Sequence, residues 1–309
     1  MRKDYLAERN KKIYDDYSQK GGSYNTLSKK YDVTPQRIQK VIVDVKNKDL
    51  AGFLTNEAPK DDREKFKNKA VEMREAGKLS LAIDMFNKVA EWDKANNNLR
   101  GHIDVLGHLK ISYKLLSERA KSENKKLSYL RKAAEVTKSA LDLSESSNEI
   151  NEGTKAIQKV HFAQILIDTA RASSASEKVL ILKQALRVIN EALNALPGSV
   201  AHKAWALNAK AQIQFFAGNI KEAVTTLNYA ETCLFDGYED EMKHGDQAEL
   251  KLNVWLSGIH LTRAVIYKET GKYILAKHYA NSVLAIKDPT KQLANRKNQA
   301  KEMLKALEK

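Results

Sequence analysis

Three stretches of the chain repeat one pattern, and that repetition narrows the possible folds more than any other feature. Each is a helical run, a glycine followed by lysine or asparagine, and a second helical run carrying alanine. KAVEMREAGKLSLAIDMFNKVAEWD is the clearest, with Gly77-Lys78 at the break and Ala82, Phe86 and Val89 beyond it. KAQIQFFAGNIKEAVTTLNYAE repeats it with Gly218-Asn219, Ala223, Leu227 and Ala230, and TRAVIYKETGKYILAKHYANSVLAIKDP with Gly271-Lys272, Ala276, Ala280 and Val283. Small residues let the two helices of a pair approach closely, while the large apolar residues fill the groove to the next pair. Two further segments are degenerate: LRKAAEVTKSALDL supplies Ala133 and Ala140, and LKQALRVINEALNALP supplies Ala185, Ala192 and a closing Pro197. In both we expect longer polar connections in place of the turn.

Little else in the chain can break a helix. It has 13 Gly and 4 Pro in 309 residues, too few for a turn-rich β protein. Pro35 opens a helix, Pro59 lies in the polar stretch NEAPKDD, and Pro197 and Pro289 end long helical segments, so none interrupts a helix interior. A hydrophobic content of 42% with 30% charged residues suits folded helices with a solvated surface. The organisation expected is a head at 1–50, a linker at 51–62 and a repeat region at 63–309. The segment TKQLANRKNQAKEMLKALEK closes that region as a polar-faced capping helix.

The head begins with an amphipathic helix over 4–20, with Tyr5, Leu6, Ile13, Tyr14 and Tyr17 as its apolar set, ended by Gly21-Gly22. Residues 23–43, SYNTLSKKYDVTPQRIQKVIV, then read as two short helices joined by a tight turn. Leu27, Tyr31, Val33, Ile38 and Val41 supply the apolar positions that lock the second helix across the first. Thr34 stands at the N-cap and Pro35 at the first helical position, where a missing N–H costs nothing. Val33 and Ile38 are spaced as a hydrophobic staple that fixes the entry angle of the helix. Residues 24–48 carry six Lys or Arg against two Asp, and the whole chain carries 53 basic against 39 acidic residues, a net +14. Such an excess favours polyanionic partners.

The head resembles the helix-turn-helix of bacterial and phage regulators, with Ser28 as the small packing residue and Asp32 at the turn position usually held by glycine. That resemblance implies that the start of the second helix enters the major groove. Thr34, Gln36, Arg37 and Lys40 would then face DNA, with Gln39 at the margin; glutamine and arginine suit base edges, and Lys29, Lys30, Lys40 and Lys46 suit phosphate. The repeated segments resemble the tetratricopeptide repeat. They depart from its 34-residue period, since the second-helix alanines 82, 133, 185, 223 and 276 are unevenly spaced. The expected fold is therefore all-α: a small three-helix helix-turn-helix domain followed by a right-handed α-solenoid of tetratricopeptide-like hairpins. The repeat resemblance implies a concave peptide- or protein-binding groove, with Trp205, Asn208, Gln212 and Phe216 facing it in one unit and Lys67, Arg74 and Glu75 in the first. Val71 replaces the asparagine of a chaperone-type carboxylate clamp, so a chaperone adaptor is disfavoured.

In architecture the whole chain resembles the peptide-responsive transcription regulators of Gram-positive bacteria and their phages, although their heads usually have five helices and their arrays are longer. The resemblance implies a homodimeric, sequence-specific regulator of double-stranded DNA whose repeats bind a peptide or protein effector. The alternative is a non-enzymatic scaffold whose groove and head both dock proteins. No catalytic constellation is legible. The seven histidines form no HxxxH or HExxH pair, and no phosphate-cradling loop or nucleophile elbow is present. We expect no enzyme activity, no cofactor and no metal, and read the acidic segment FDGYEDEMKHGD as a solvated loop. A single Cys233, no signal-like apolar stretch and no run near the length of a membrane span make a cytoplasmic protein the expectation.

Overall fold

Helix follows helix in this chain because only glycines, prolines and capped polar residues interrupt the helical sequence. The structure, a computed structural model, describes residues 2–20, 23–51, 58–196, 198–288 and 293–308, and their side chains except at 2–5, 7, 18–20, 44 and 46–51. The expected breaks at Gly21-Gly22, Pro197 and Pro289, and the side chains of Tyr5 and Lys46, lie outside the described residues. Among those residues there are fifteen helices and no strand. They fall into two compact units, Met1–Leu143 and Ser144–Lys309.

The first unit opens with α1 (Arg2–Lys20), α2 (Tyr24–Tyr31) and α3 (Pro35–Ala51). Ile13, Tyr14, Leu27, Ile38, Val41 and Ile42 form their common core, edged by Tyr17, Tyr31, Val33 and Val45. Leu6 is exposed, so the apolar face of α1 is buried around Ile13 and Tyr14 rather than along its full length. Next come α4 (Lys60–Glu75), α5 (Leu79–Ala95), α6 (Leu99–Glu118) and α7 (Glu123–Glu145), the last crossing the boundary between units. Helix α4 starts before Arg63, so residues 60–62 of the expected linker form its first turn.

A buried ion pair ties α4 to α5. Arg63 Nε and Nη2 donate to the two Asp93 carboxylate oxygens at 3.0 and 2.5 Å, with both side chains fully buried. Nη2 also donates to the Gly101 carbonyl on α6 at 3.2 Å, and Asn98 Nδ2 donates to Asp93 Oδ1. Burial opposes the charge of Arg63, but the bonds to Asp93 outweigh it and hold the guanidinium above its ordinary pKa.

The second unit contains α8 (Glu152–Ala172), α9 (Ala175–Leu193), α10 (Ala201–Phe216), α11 (Ile220–Asp236), α12 (Tyr238–His244), α13 (Ala248–Glu269), α14 (Tyr273–Ala285) and α15 (Ala294–Ala306). Consecutive helices pack as pairs, and α8 also meets α10, α10 meets α13, and α13 meets α15. The alanines at the seams are fully buried, among them Ala185, Ala223, Ala230, Ala276 and Ala280.

The three glycine turns have one geometry. Gly77, Gly218 and Gly271 have φ of 77°, 89° and 73°, in the left-handed region where a Cβ is strained. The following Lys78, Asn219 and Lys272 share φ near −81° to −88° and ψ of 58° to 67°. In each turn the glycine N–H donates three residues back and the next N–H five residues back, as in Gly218 N to Phe215 O and Asn219 N to Gln214 O. These bonds satisfy carbonyls that the ending helix leaves open.

Two expectations are corrected. The connection into α9 is not a longer polar stretch: only Ser173 and Ser174 separate it from α8, because RASSASEK is helical on both sides of that serine pair. The acidic segment is not a solvated loop. Tyr238–His244 is helical, and Glu241 is buried, accepting from Ser199 Oγ at 2.9 Å.

Candidate functional site

The α2–α3 corner is built from its caps outward. Ser23 Oγ accepts from Thr26 N–H at 3.1 Å to start α2, and Thr34 Oγ1 accepts from Arg37 N–H at 3.2 Å to start α3. Between them Asp32 takes the left-handed conformation, φ 50° and ψ 53°, a region that aspartate visits better than most residues. Val33 N–H then closes on the Ser28 carbonyl at 3.1 Å, and Val33 packs against the core that holds Ile38. The staple and cap read from the sequence are thus both formed.

With Ile38 and Val41 turned inward, the other side of α3 is left to solvent. Thr34, Gln36, Arg37, Gln39 and Lys40 are exposed, as are Lys29 and Lys30 on α2. Among the described residues no carboxylate pairs with Lys29, Arg37 or Lys40. Lys30 differs, since it is ion-paired with Asp16 on α1 and lies over the Tyr31 ring. Tyr31 Oη donates to the same Asp16 carboxylate at 2.6 Å. Burial, and then that bond to Asp16, push the Tyr31 phenol up to about 12. Asp16 therefore fixes α1 to the end of α2 through two partners.

The expected groove positions are more engaged. Trp205 on α10 meets His161 of α8 edge-on at 5.1 Å, and Gln212 Nε2 donates to Thr262 Oγ1 of α13 at 3.2 Å. Asn208 points at α13 beside Gly258. Phe216 lies under the cations of Arg171 and Lys178, 5.2 and 5.7 Å from its ring centre. In the first unit Lys67 Nζ is shared by Asp104 and Glu64 at 3.0 and 3.1 Å. Arg74 bonds Glu75 at 2.8 Å and His108 Nδ1 at 3.0 Å. The two cations assigned to the groove therefore already have partners within their own unit, whereas among the described residues no carboxylate pairs with Arg37 or Lys40 on α3.

A cavity of about 410 Å³ opens among α9, α10 and α11, with Leu207 on its wall and Lys203, Lys210, Thr226 and Tyr229 around it. It shares no residue with the expected groove set. Two groups that matter most for the packing and polar chemistry escaped the sequence reading: the Arg63–Asp93 pair, and Arg296 on α15, which reaches Ser257 on α13. Arg63 sits in the charge run KDDREK and Arg296 in the polar run NRKNQ, so no periodic signal marks either as turned inward.

Among the described residues no three His, Cys, Asp or Glu side chains converge as a metal site, and no helix is long and apolar enough to cross a membrane. Comparison with protein-family models gives no match, and neither does comparison with curated proteins.

Proposed function

We propose that the α1–α3 head binds double-stranded DNA through the start of α3, and that the chain is a sequence-specific transcription regulator. In this reading residues 63–309 form a right-handed tetratricopeptide-like solenoid that dimerises and/or binds a peptide or protein effector. The observation that carries it is the exposed set Gln36, Arg37, Gln39 and Lys40, held at the start of a capped helix whose opposite side is locked by Ile38 and Val41. Glutamine and arginine there suit bidentate contact with adenine and guanine edges, and lysine suits phosphate. The repeated glycine turns and buried alanine seams support the repeat reading.

Fluorescence anisotropy of the full chain against fragments of its own genome tests the proposal. Selective binding is expected, weakening steeply with salt because most contacts of so small a head go to phosphate. The double variant Arg37→Ala, Lys40→Ala removes two exposed side chains that no carboxylate pairs with among the described residues. It should therefore keep stability within about 0.5 kcal/mol of the parent while selective binding is lost. Binding that stays unselective or absent up to tens of micromolar sinks the regulator and leaves the protein-docking scaffold.

A further inference from the structure

Helix α10 carries two distinct faces. Trp205, Asn208, Gln212 and Phe216 recur at three- and four-residue spacing and share one of them, where Trp205 meets α8 and Gln212 meets α13. Lys203, Leu207 and Lys210 recur in the same way but stand about half a turn further round, on the opposite side. Helices α9 and α11 both pack on α10. The cavity of about 410 Å³ opens among these three helices and is lined by that second face. Its volume falls within the range of small-molecule pockets, about 300–1,000 Å³.

The lining has two characters. Leu207 is buried and Leu193, from the end of α9, is half-buried, so together they offer a hydrocarbon wall. From α11 come Thr226 and the exposed ring of Tyr229. Lys203 and Lys210, four residues before Leu207 and three after it, bring two cationic side chains to the same cavity. Half-buried lysines elsewhere are matched by acids. Lys67 is shared by Glu64 and Asp104, and Lys159 by Glu145 and Glu191 at 3.1 and 3.0 Å. Among the described residues no carboxylate pairs with Lys203 or Lys210. The cavity thus joins positive charge to an apolar wall, and the anion that would balance that charge is not supplied by those residues. Lysine is a point charge on a flexible stem rather than a planar fork. It selects for negative charge and leaves the shape of the ligand to the apolar wall.

We propose that the cavity among α9, α10 and α11 binds a small single-tailed amphiphile with an anionic head. The head is held by Lys203 and Lys210, and the tail lies against Leu193, Leu207 and the Tyr229 ring. The site goes beyond the DNA-binding and effector reading and does not depend on it, because the groove set occupies the other face of α10.

The test is NMR on the full chain, methyl-labelled at leucine and threonine and 15N-labelled at tryptophan. Leu193→Met, Thr226→Ser and Trp205→Phe assign the signals that matter. Octanoate should shift the Leu193 and Thr226 methyls saturably while the Trp205 indole stays still, with a dissociation constant in the millimolar range or tighter for a ligand of this size. Octanamide, which has the same tail and no charge, should bind at least about tenfold more weakly. The double variant Lys203→Gln, Lys210→Gln should weaken octanoate by the same factor and leave octanamide unchanged. Methyls that octanoate does not move, octanamide binding as well as octanoate, or full octanoate binding by the double variant each overturn the site. Shifts confined to the Trp205 indole overturn it too, since they put the ligand on the groove side of α10.

Discussion

In the α1–α3 cluster three helices are locked by Ile13, Tyr14, Leu27, Ile38, Val41 and Ile42. By contrast, α10, α11 and α13 close around Ala201, Ala204, Ala211, Ala223 and Ala230, with Leu207, Leu227 and Ile259 among them. The first arrangement concentrates its stabilisation in a few large side chains. The second spreads it along seams where helices approach closely. A small cluster with few large contacts is the kind of region that opens locally below the global unfolding free energy. The difference teaches that the cluster should be vulnerable to truncation and the seams to enlargement.

The hairpin α4–α5 lies outside this contrast and sets its upper scale, because it buries charge. Asp93→Ala removes the buried anion of Arg63, leaving the part-exposed Glu64 carboxylate as its remaining partner, and should cost about 3–5 kcal/mol in urea denaturation. Ile38→Ala should cost about 2–5 kcal/mol. In hydrogen exchange it should deprotect α1–α3 while the amides of α10–α13 keep their protection; equal deprotection of both regions breaks the comparison. Ala223→Leu should cost about 1–3 kcal/mol by overpacking the seam. No loss of melting temperature in that variant would mean that the alanine is not there for close approach.

Caps give a finer contrast. Thr34 caps α3 through its side chain, whereas Asn219 precedes α11 with no side-chain cap. Thr34→Ala should cost about 0.5–2 kcal/mol, and Asn219→Ala less than about 0.5 kcal/mol, both read from denaturant midpoints. The smallest effect is in alkali. Tyr31 is raised from 10.0 to about 12, by burial and then by its bond to Asp16. Its contribution is complete below pH 10.0 and disappears as the pH climbs through about 12. The head of Tyr31→Phe should lack that alkaline loss in pH-dependent melting, and identical profiles for both proteins would remove Asp16 as the cause.

What could be read from the sequence follows from how local each signal is. The cap at Thr34, the staple Val33–Ile38 and the turns at Gly77, Gly218 and Gly271 depend on residues within a few positions of one another, and all are present. Arg63 and Asp93 lie thirty residues apart in the chain, and Arg296 lies thirty-nine from Ser257. Nothing in their surroundings distinguishes them from solvated charges. The acidic segment misled for the same reason: Glu241 is buried and accepts a hydrogen bond from Ser199, forty-two residues away. On the expected DNA-facing side of α3, exposure was legible from the alternation with Ile38 and Val41, because a helix that buries one face must leave the other open.

The common turn also explains an irregularity in the chain. Helices α4 and α10 have sixteen residues and α13 has twenty-two, while α5 and α11 have seventeen and α14 thirteen. The joint between partners nevertheless has the same dihedral angles and the same pair of bonds each time. Each hairpin is thus indexed from its hinge point, like blades of different lengths on one clasp. Length can be gained or lost only at the open ends, which is where inserted sequence or a reporter peptide would be accommodated without shifting the register of either helix.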